Sequence, residues 1–237
     1  MAKASVAIEP TASDLNQAID ACLANANRLI DDAMQVEFQE PPATKLMLAM
    51  IAQEESAKAF ILFLVREGIV PWSRELLRAM NDHACKQLVS IVLDYADPQW
   101  TEPSELEQLF DEEYDRDGKL PFNVASALNI FRHEKIGRWE SNTWVWSEDP
   151  EYDKGVIKVA EGKRDKIKQD ALYVRLGADA RVVSTPGATS PEAADQELER
   201  AQQYKSFVRS IVDRGWHQTI FHRKIQEAFS LLFARKP

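Results

Sequence analysis

Only two cysteines, Cys22 and Cys85, occur in the 237 residues. Both fall in helical apolar patterns, so they read as reduced thiols packed as small hydrophobes rather than as a disulfide framework or a zinc site. Eight glycines are few for a β-rich chain with many tight turns. The most apolar stretch, Leu46 to Val70, is broken by Gln53, Glu54, Glu55 and Lys58, so it fails as a membrane span and reads as a core helix. No basic start followed by an apolar run suggests a secretion signal, and the cytoplasm is the expected location. None of His83, His133, His217 and His222 follows a glutamate by three residues, which removes the Glu-x-x-His pairs of a di-iron bundle. Walker, G-x-G-x-x-G and G-x-S-x-G patterns are also missing. No metal and no cofactor is therefore expected.

The chain is 45% hydrophobic and 28% charged, which suffices for a sizeable core without staples. The net charge of −9 argues against a general electrostatic nucleic-acid binder, though not against a local basic site on an RNA enzyme. Charge is unevenly spread. Nine acids against Arg116 lie between Asp97 and Asp117, and seven bases against three acids lie between Lys154 and Arg175. These runs are either solvated helix faces or surfaces for RNA or a charged partner.

Helical periodicity dominates. Leu15, Ala18, Ile19, Cys22, Leu23, Ala26, Leu29, Ile30 and Ala33 form one stripe, predicting a helix over 13–37 capped by Ser13. A second helix, about 44–66, is apolar nearly all round and therefore central, with Gly68 after its end. A third runs unbroken from Trp72 or Ser73 to Tyr95. Ser104 and Glu107 are spaced as a capping box for a short acidic helix. Asn123 is expected to cap a helix to about Trp139, followed by an ordered loop holding Trp144 and Trp146. A basic helix over roughly 153–175 precedes a loop over 177–190. Ser190-Pro191-Glu192 starts another helix, Gly215 ends it, and a last helix follows. The fold class is all-α: one helical domain over 1–237, its core bundle at about 12–140 and further helices at about 153–236.

Two clusters carry chemistry. Glu54 and Lys58 stand four apart in the second helix, the spacing of a helix ion pair. Glu54 also faces inward, where a buried carboxylate needs partners; Arg28, Arg78 and His83 are the candidates. It is either a structural tie or the carboxylate that orients a catalytic Arg or His. Arg78-Ala-Met-Asn-Asp-His83 pairs a phosphate-matching fork with a base that titrates near neutrality, the two groups that metal-free RNA cleavage needs. Chance alone gives roughly 0.75 such spacings in this composition, so the pattern by itself decides nothing. Arg78 with Asp82 as an i,i+4 ion pair, and His83 as a core-edge residue, are the plain alternatives. On one ideal helix Arg78 and His83 would sit roughly 140° apart, which suits a composite site across a dimer.

Read in order, Ala21-Cys-Leu-Ala-Asn-Ala-Asn-Arg-Leu-Ile-Asp-Asp-Ala33, Leu48-Ala-Met-Ile-Ala-Gln-Glu-Glu-Ser-Ala-Lys-Ala59, Asp82-His-Ala-Cys-Lys-Gln-Leu88 and Lys168-Gln-Asp-Ala-Leu-Tyr-Val174 resemble the AbiV-type abortive-infection proteins of the HEPN helical superfamily. The likeness covers roughly residues 12–212. It implies a HEPN-like bundle, frequent homodimerisation and a role in phage defence. It also implies a metal-independent endoribonuclease motif that Arg78 and His83 match. The chain departs at Ala79, where active members usually carry a polar residue. The helix over 216–237 lies beyond the likeness, and its Trp216, His217, His222 and Arg223 are expected at a subunit interface.

Two functions are thus expected to compete. One is an RNA-cleaving effector, with His83 as general base or acid, Arg78 as phosphate clamp and Glu54 or Glu55 as orienting carboxylate. Lys58, Lys86, Lys163, Arg164, Lys166 and Lys168 would bind RNA. The other is a non-catalytic defence protein that binds a phage protein or the translation machinery through the acidic 97–117 segment or the tryptophan loop.

Overall fold

The computed structural model describes residues 9–97, 120–140, 150–216 and 220–234. Helix α1 spans Ala12–Gln35, and its cap is Thr11 rather than Ser13. The Asp14 N–H donates to Thr11 Oγ1 at 3.2 Å and the Thr11 N–H donates to Asp14 Oδ2 at 2.9 Å. This reciprocal box satisfies two end groups at once, which a lone serine cap would not. Leu15, Ile19, Leu23, Ala26, Leu29, Ile30 and Ala33 form its buried stripe, with Ala18 and Cys22 half-buried beside them. Helix α2, Ala43–Arg66, is buried on most of its circumference, as its composition predicts.

The third predicted helix is two. Helix α3 covers Arg74–Asn81 and α4 covers His83–Ala96. Asp82 between them is extended (φ −87°, ψ 126°), and its carboxylate accepts the Cys85 N–H at 2.9 Å. An aspartate that caps locally competes with helix continuation, which is why the break falls there. His83 consequently opens a new helix, and the ideal-helix angle to Arg78 does not apply.

Helix α5, Phe122–Asn129, continues as a π-helical stretch, Ile130–Gly137. Pro121, not Asn123, holds its N-cap position. The predicted basic helix is also divided. Gly162, in the left-handed region at φ 86°, separates α6 (Lys154–Ala160) from α7 (Lys163–Leu172). Helix α7 stops at Leu172, short of the expected 175, and β1 (Arg175–Leu176) just ahead of the expected loop pairs antiparallel with β2 (Val182–Ser184) inside it, followed by a 3₁₀ turn, Pro186–Ala188. Ser190 caps α8 (Pro191–Arg214) as predicted, accepting the Ala193 N–H at 3.2 Å. Helix α9 covers Ile220–Phe233. The acidic helix at Ser104 and Glu107 and the Trp144–Trp146 loop fall outside the described residues.

Helix α2 is the axis of the bundle, packed by α1, α8, α4 and α7. One large core joins Phe60 and Phe63 of α2 to Leu88 of α4, Phe131, Tyr204 of α8 and Phe229 of α9. A smaller one, built on Ala26, Ala33, Ala49, Ala52 and Ala201, joins α1, α2 and α8; alanines there let the helix axes approach closely. Two of the residues expected at a subunit interface point inward instead. Trp216 lies edge-on to Phe60 and Phe63 (centroids 5.9 and 5.4 Å), and His222, 4% exposed, sits against Phe207 and Trp216. The apolar rings available in the core are better partners for them than water. Among the described residues no helix is long and apolar enough to cross a membrane.

Candidate functional site

The site centres on one carboxylate. Glu54 lies midway along α2 and is 2% exposed. Helix α4 meets it with its first turn, and His83, Lys86 and Gln87, spaced i, i+3 and i+4, share the facing side. His83 Nδ1 is 2.7 Å from Glu54 Oε2, and Lys86 Nζ is 2.9 Å from the same oxygen. Gln87 Nε2 donates to Oε1 at 3.2 Å. From the far side Lys168 of α7 donates to Oε1 at 2.5 Å, and its Nζ lies 3.0 Å from His83 Nδ1. Four donors fill the lone pairs that one carboxylate offers.

Burial alone would push the Glu54 carboxyl up; the Lys86 and Lys168 ammonium groups overcome it and hold the carboxyl down, at about 2. Glu54 is thus ionised at neutral pH. A carboxylate oxygen without a proton, 2.7 Å from His83 Nδ1, requires the hydrogen on that nitrogen. In the neutral ring the other nitrogen, Nε2, carries the free lone pair. The His83 side chain is 53% exposed, so the ring bridges a buried charge and solvent.

A second polar layer fixes α7 against α2. Arg164, one turn before Lys168, donates to Gln53 Oε1 at 3.0 Å and to Glu197 Oε2 of α8 at 2.6 Å. Gln53 Nε2 donates to the Glu197 carbonyl oxygen and to Oε2, both at 2.7 Å. Helix α7 buries only Lys168 and Ala171, so its seat on the bundle is mainly polar.

The structure brings together some of the sequence candidates and separates others. Glu54, His83, Lys86 and Lys168 converge. Glu55 does not join them: it pairs with Lys58 at 2.7 Å, near the Cys22 thiol of α1. Lys58 therefore takes the glutamate three residues before it, not Glu54 four before. Arg28 pairs with Asp32 at 2.6 Å on the surface. Arg78 is exposed, with its guanidinium 4.4 Å above the Trp139 ring, while Asp82 caps α4 rather than pairing with Arg78. Lys163 and Lys166 are exposed on α7. Gln87, Gln53, Asp165 and Glu197 were not among the candidates; only Gln87, four residues after His83, carries a local signal. Both cysteines are free, and burial pushes the Cys22 thiol up to about 11 and the Cys85 thiol higher still. Among the described residues no three His, Cys, Asp or Glu side chains converge as metal ligands.

This arrangement can move a proton. A neutral imidazole, oriented through Nδ1 by a fixed anion and open at Nε2, is a general base whose conjugate acid can return the proton.

Comparison with curated proteins and with solved structures returns no match. The sequence model of the HEPN_AbiV family, AbiV, matches residues 14–206. That span contains nearly all of α1 through most of α8 and every residue of the Glu54 cluster. The chain therefore belongs to the AbiV family of HEPN proteins, which points to a function in abortive infection.

Proposed function

We propose that this protein is an antiphage abortive-infection effector of the cytoplasm that cleaves RNA without a metal ion. The observation that carries the reading is the His83–Glu54 contact, 2.7 Å at Nδ1, on a ring half open to solvent. His83 Nε2 takes the proton of a ribose 2′-hydroxyl. The 2′-oxygen bonds to the adjacent phosphorus, the bond from phosphorus to the 5′-oxygen breaks, and the imidazolium returns its proton to that oxygen. Arg78 clamps the phosphate. Its guanidinium face rests on Trp139, which leaves the N–H edge of the fork for phosphate oxygens. Lys163 and Lys166, exposed on α7, supply cations for the RNA backbone. A homodimer is the expected assembly.

The test is purified protein with total bacterial RNA in EDTA, beside His83→Ala of matched thermal stability. Cleavage by the wild type alone supports the assignment. A base contributes about 10²–10⁴-fold, so the variant should be nearly inactive. Equal cleavage by both proteins would sink it.

A second reading, a non-catalytic defence protein that acts by protein contact, draws on the exposed apolar side chains of the hairpin region. Tyr173, Val174, Leu176 and Val182 are 64%, 57%, 58% and 61% exposed. A stable Arg78→Ala, His83→Ala double variant that still protects cells from phage would favour this reading over the first.

A further inference from the structure

Lys168 takes no part in the cleavage steps above, because its side chain is 7% exposed and closed off from a bound phosphate. We propose that Lys168 is a positioning residue of this site: a buried cation, carried in by α7, that shares Glu54 with His83 and keeps the His83 imidazole in its neutral, proton-accepting form. The use of that form comes from the ribonuclease reading; the contact itself is geometric.

Lys168 Nζ donates to Glu54 Oε1 and lies 3.0 Å from His83 Nδ1. Nδ1 already carries a hydrogen directed at Oε2, so nothing on the ring accepts from the lysine. The two donors meet because both are drawn to one carboxylate. A neutral ring tolerates that neighbour. An imidazolium would place its positive charge against an ammonium in a poorly hydrated position.

Among the described residues, Glu54, Lys86 and Lys168 are the charged side chains in the contact cluster at the ring, with Arg78 on α3, five residues before it in the chain. Glu54 faces it from α2. Asp82 precedes it at the start of α4, where Lys86 also reaches Oε2 at 2.9 Å. Lys168 approaches from α7, with Asp165 3.1 Å from its Nζ. Of the two lysines it is Lys168 that lies against the ring. The paired carboxylate alone would favour the protonated ring; Lys168 opposes it. A base that must release its proton to the leaving oxygen within the same turnover benefits from that opposition.

Helix α7 makes this control remote. Lys168 is 114 residues from Glu54 in the chain, and its place depends on Arg164 gripping Gln53 and Glu197 one turn earlier.

The experiment is an NMR titration of the His83 ring, assigned by its loss in His83→Ala, in the wild type, Lys168→Met, Lys168→Gln and Lys168→Arg. Lys168→Gln keeps a donor for Glu54 but not the charge, so it answers if the methionine variant misfolds. The midpoint should rise by about one pH unit in Lys168→Met and Lys168→Gln, the scale of one charge contact partly open to water, and return toward the wild type in Lys168→Arg. A midpoint that stays in place or falls in both neutral variants overturns the proposal. The RNA gel decides the ribonuclease reading separately: a shifted midpoint in a protein that cleaves nothing supports the hold of Lys168 on His83 and counts against that reading alone.

Discussion

Replacing Glu54 by glutamine should cost about 3 kcal/mol of stability at pH 7, and two routes give that figure. Removing one partner of a buried ion pair costs about 3–5 kcal/mol, because the other charge is left uncompensated. Here Lys86 and Lys168 are 8% and 7% exposed at the side chain. Lys168 keeps Asp165 at 3.1 Å, which places the loss at the lower end. The second route is linkage. The Glu54 carboxyl is held at about 2 against an ordinary 4.5, and that gap corresponds to about 3 kcal/mol. The sign follows from a depressed folded-state value. The stability is fully present above about 4.5 and is lost as the pH falls through about 2. The wild-type advantage should therefore shrink to about 1 kcal/mol by pH 3. Urea unfolding of both proteins at pH 7, 4.5 and 3 measures it, and by heat the difference at pH 7 should be about 6–12 °C in Tm. An advantage below about 1 kcal/mol at pH 7, or one independent of pH over this range, would refute the picture of a carboxylate held ionised by two buried lysines.

Other perturbations separate the site from its surroundings. Glu55→Ala breaks a partly exposed pair with Lys58 and should cost about 1 kcal/mol or less in denaturant unfolding while leaving RNA cleavage near the wild-type rate; a strong loss of cleavage would return Glu55 to the site. Asp82→Ala removes the cap that sets His83 at the start of α4. It should cost about 1 kcal/mol and lower the rate of RNA cleavage, with Asp82→Ser restoring most of both; failure of the serine variant to rescue would argue against a capping role.

Helical class, the buried stripe of α1 and the central place of α2 were legible because each depends on neighbours three or four residues apart. The same is true of the Ser190-Pro191 helix start. Three functional candidates were legible for a similar reason. Glu54 is a charge in an apolar helix, and Arg78 and His83 lie within one short motif. Local rules also misled where two local signals competed. The periodicity of residues 73–95 is continuous, yet Asp82 caps a new helix; Ser13 is a good cap, yet Thr11 with Asp14 is a better one. Lys58 has glutamates at both permitted spacings. Its partner is Glu55 because Glu54 is already filled from α4 and α7.

The sequence by itself determined a helical chain with an acid that had to be buried and a histidine within reach of it, since composition and periodicity act over single turns of helix. Only the tertiary structure decided what surrounds that acid. Lys168 reaches Glu54 across 114 residues, Arg164 reaches Gln53 across 111, and Arg78 comes to rest on Trp139. Such contacts leave no periodic trace. They are set by how α7 seats on α2 and by how α3 meets the end of the π-helical stretch, and in the buried site it is the need to compensate a charge, not proximity in the chain, that chooses the partners.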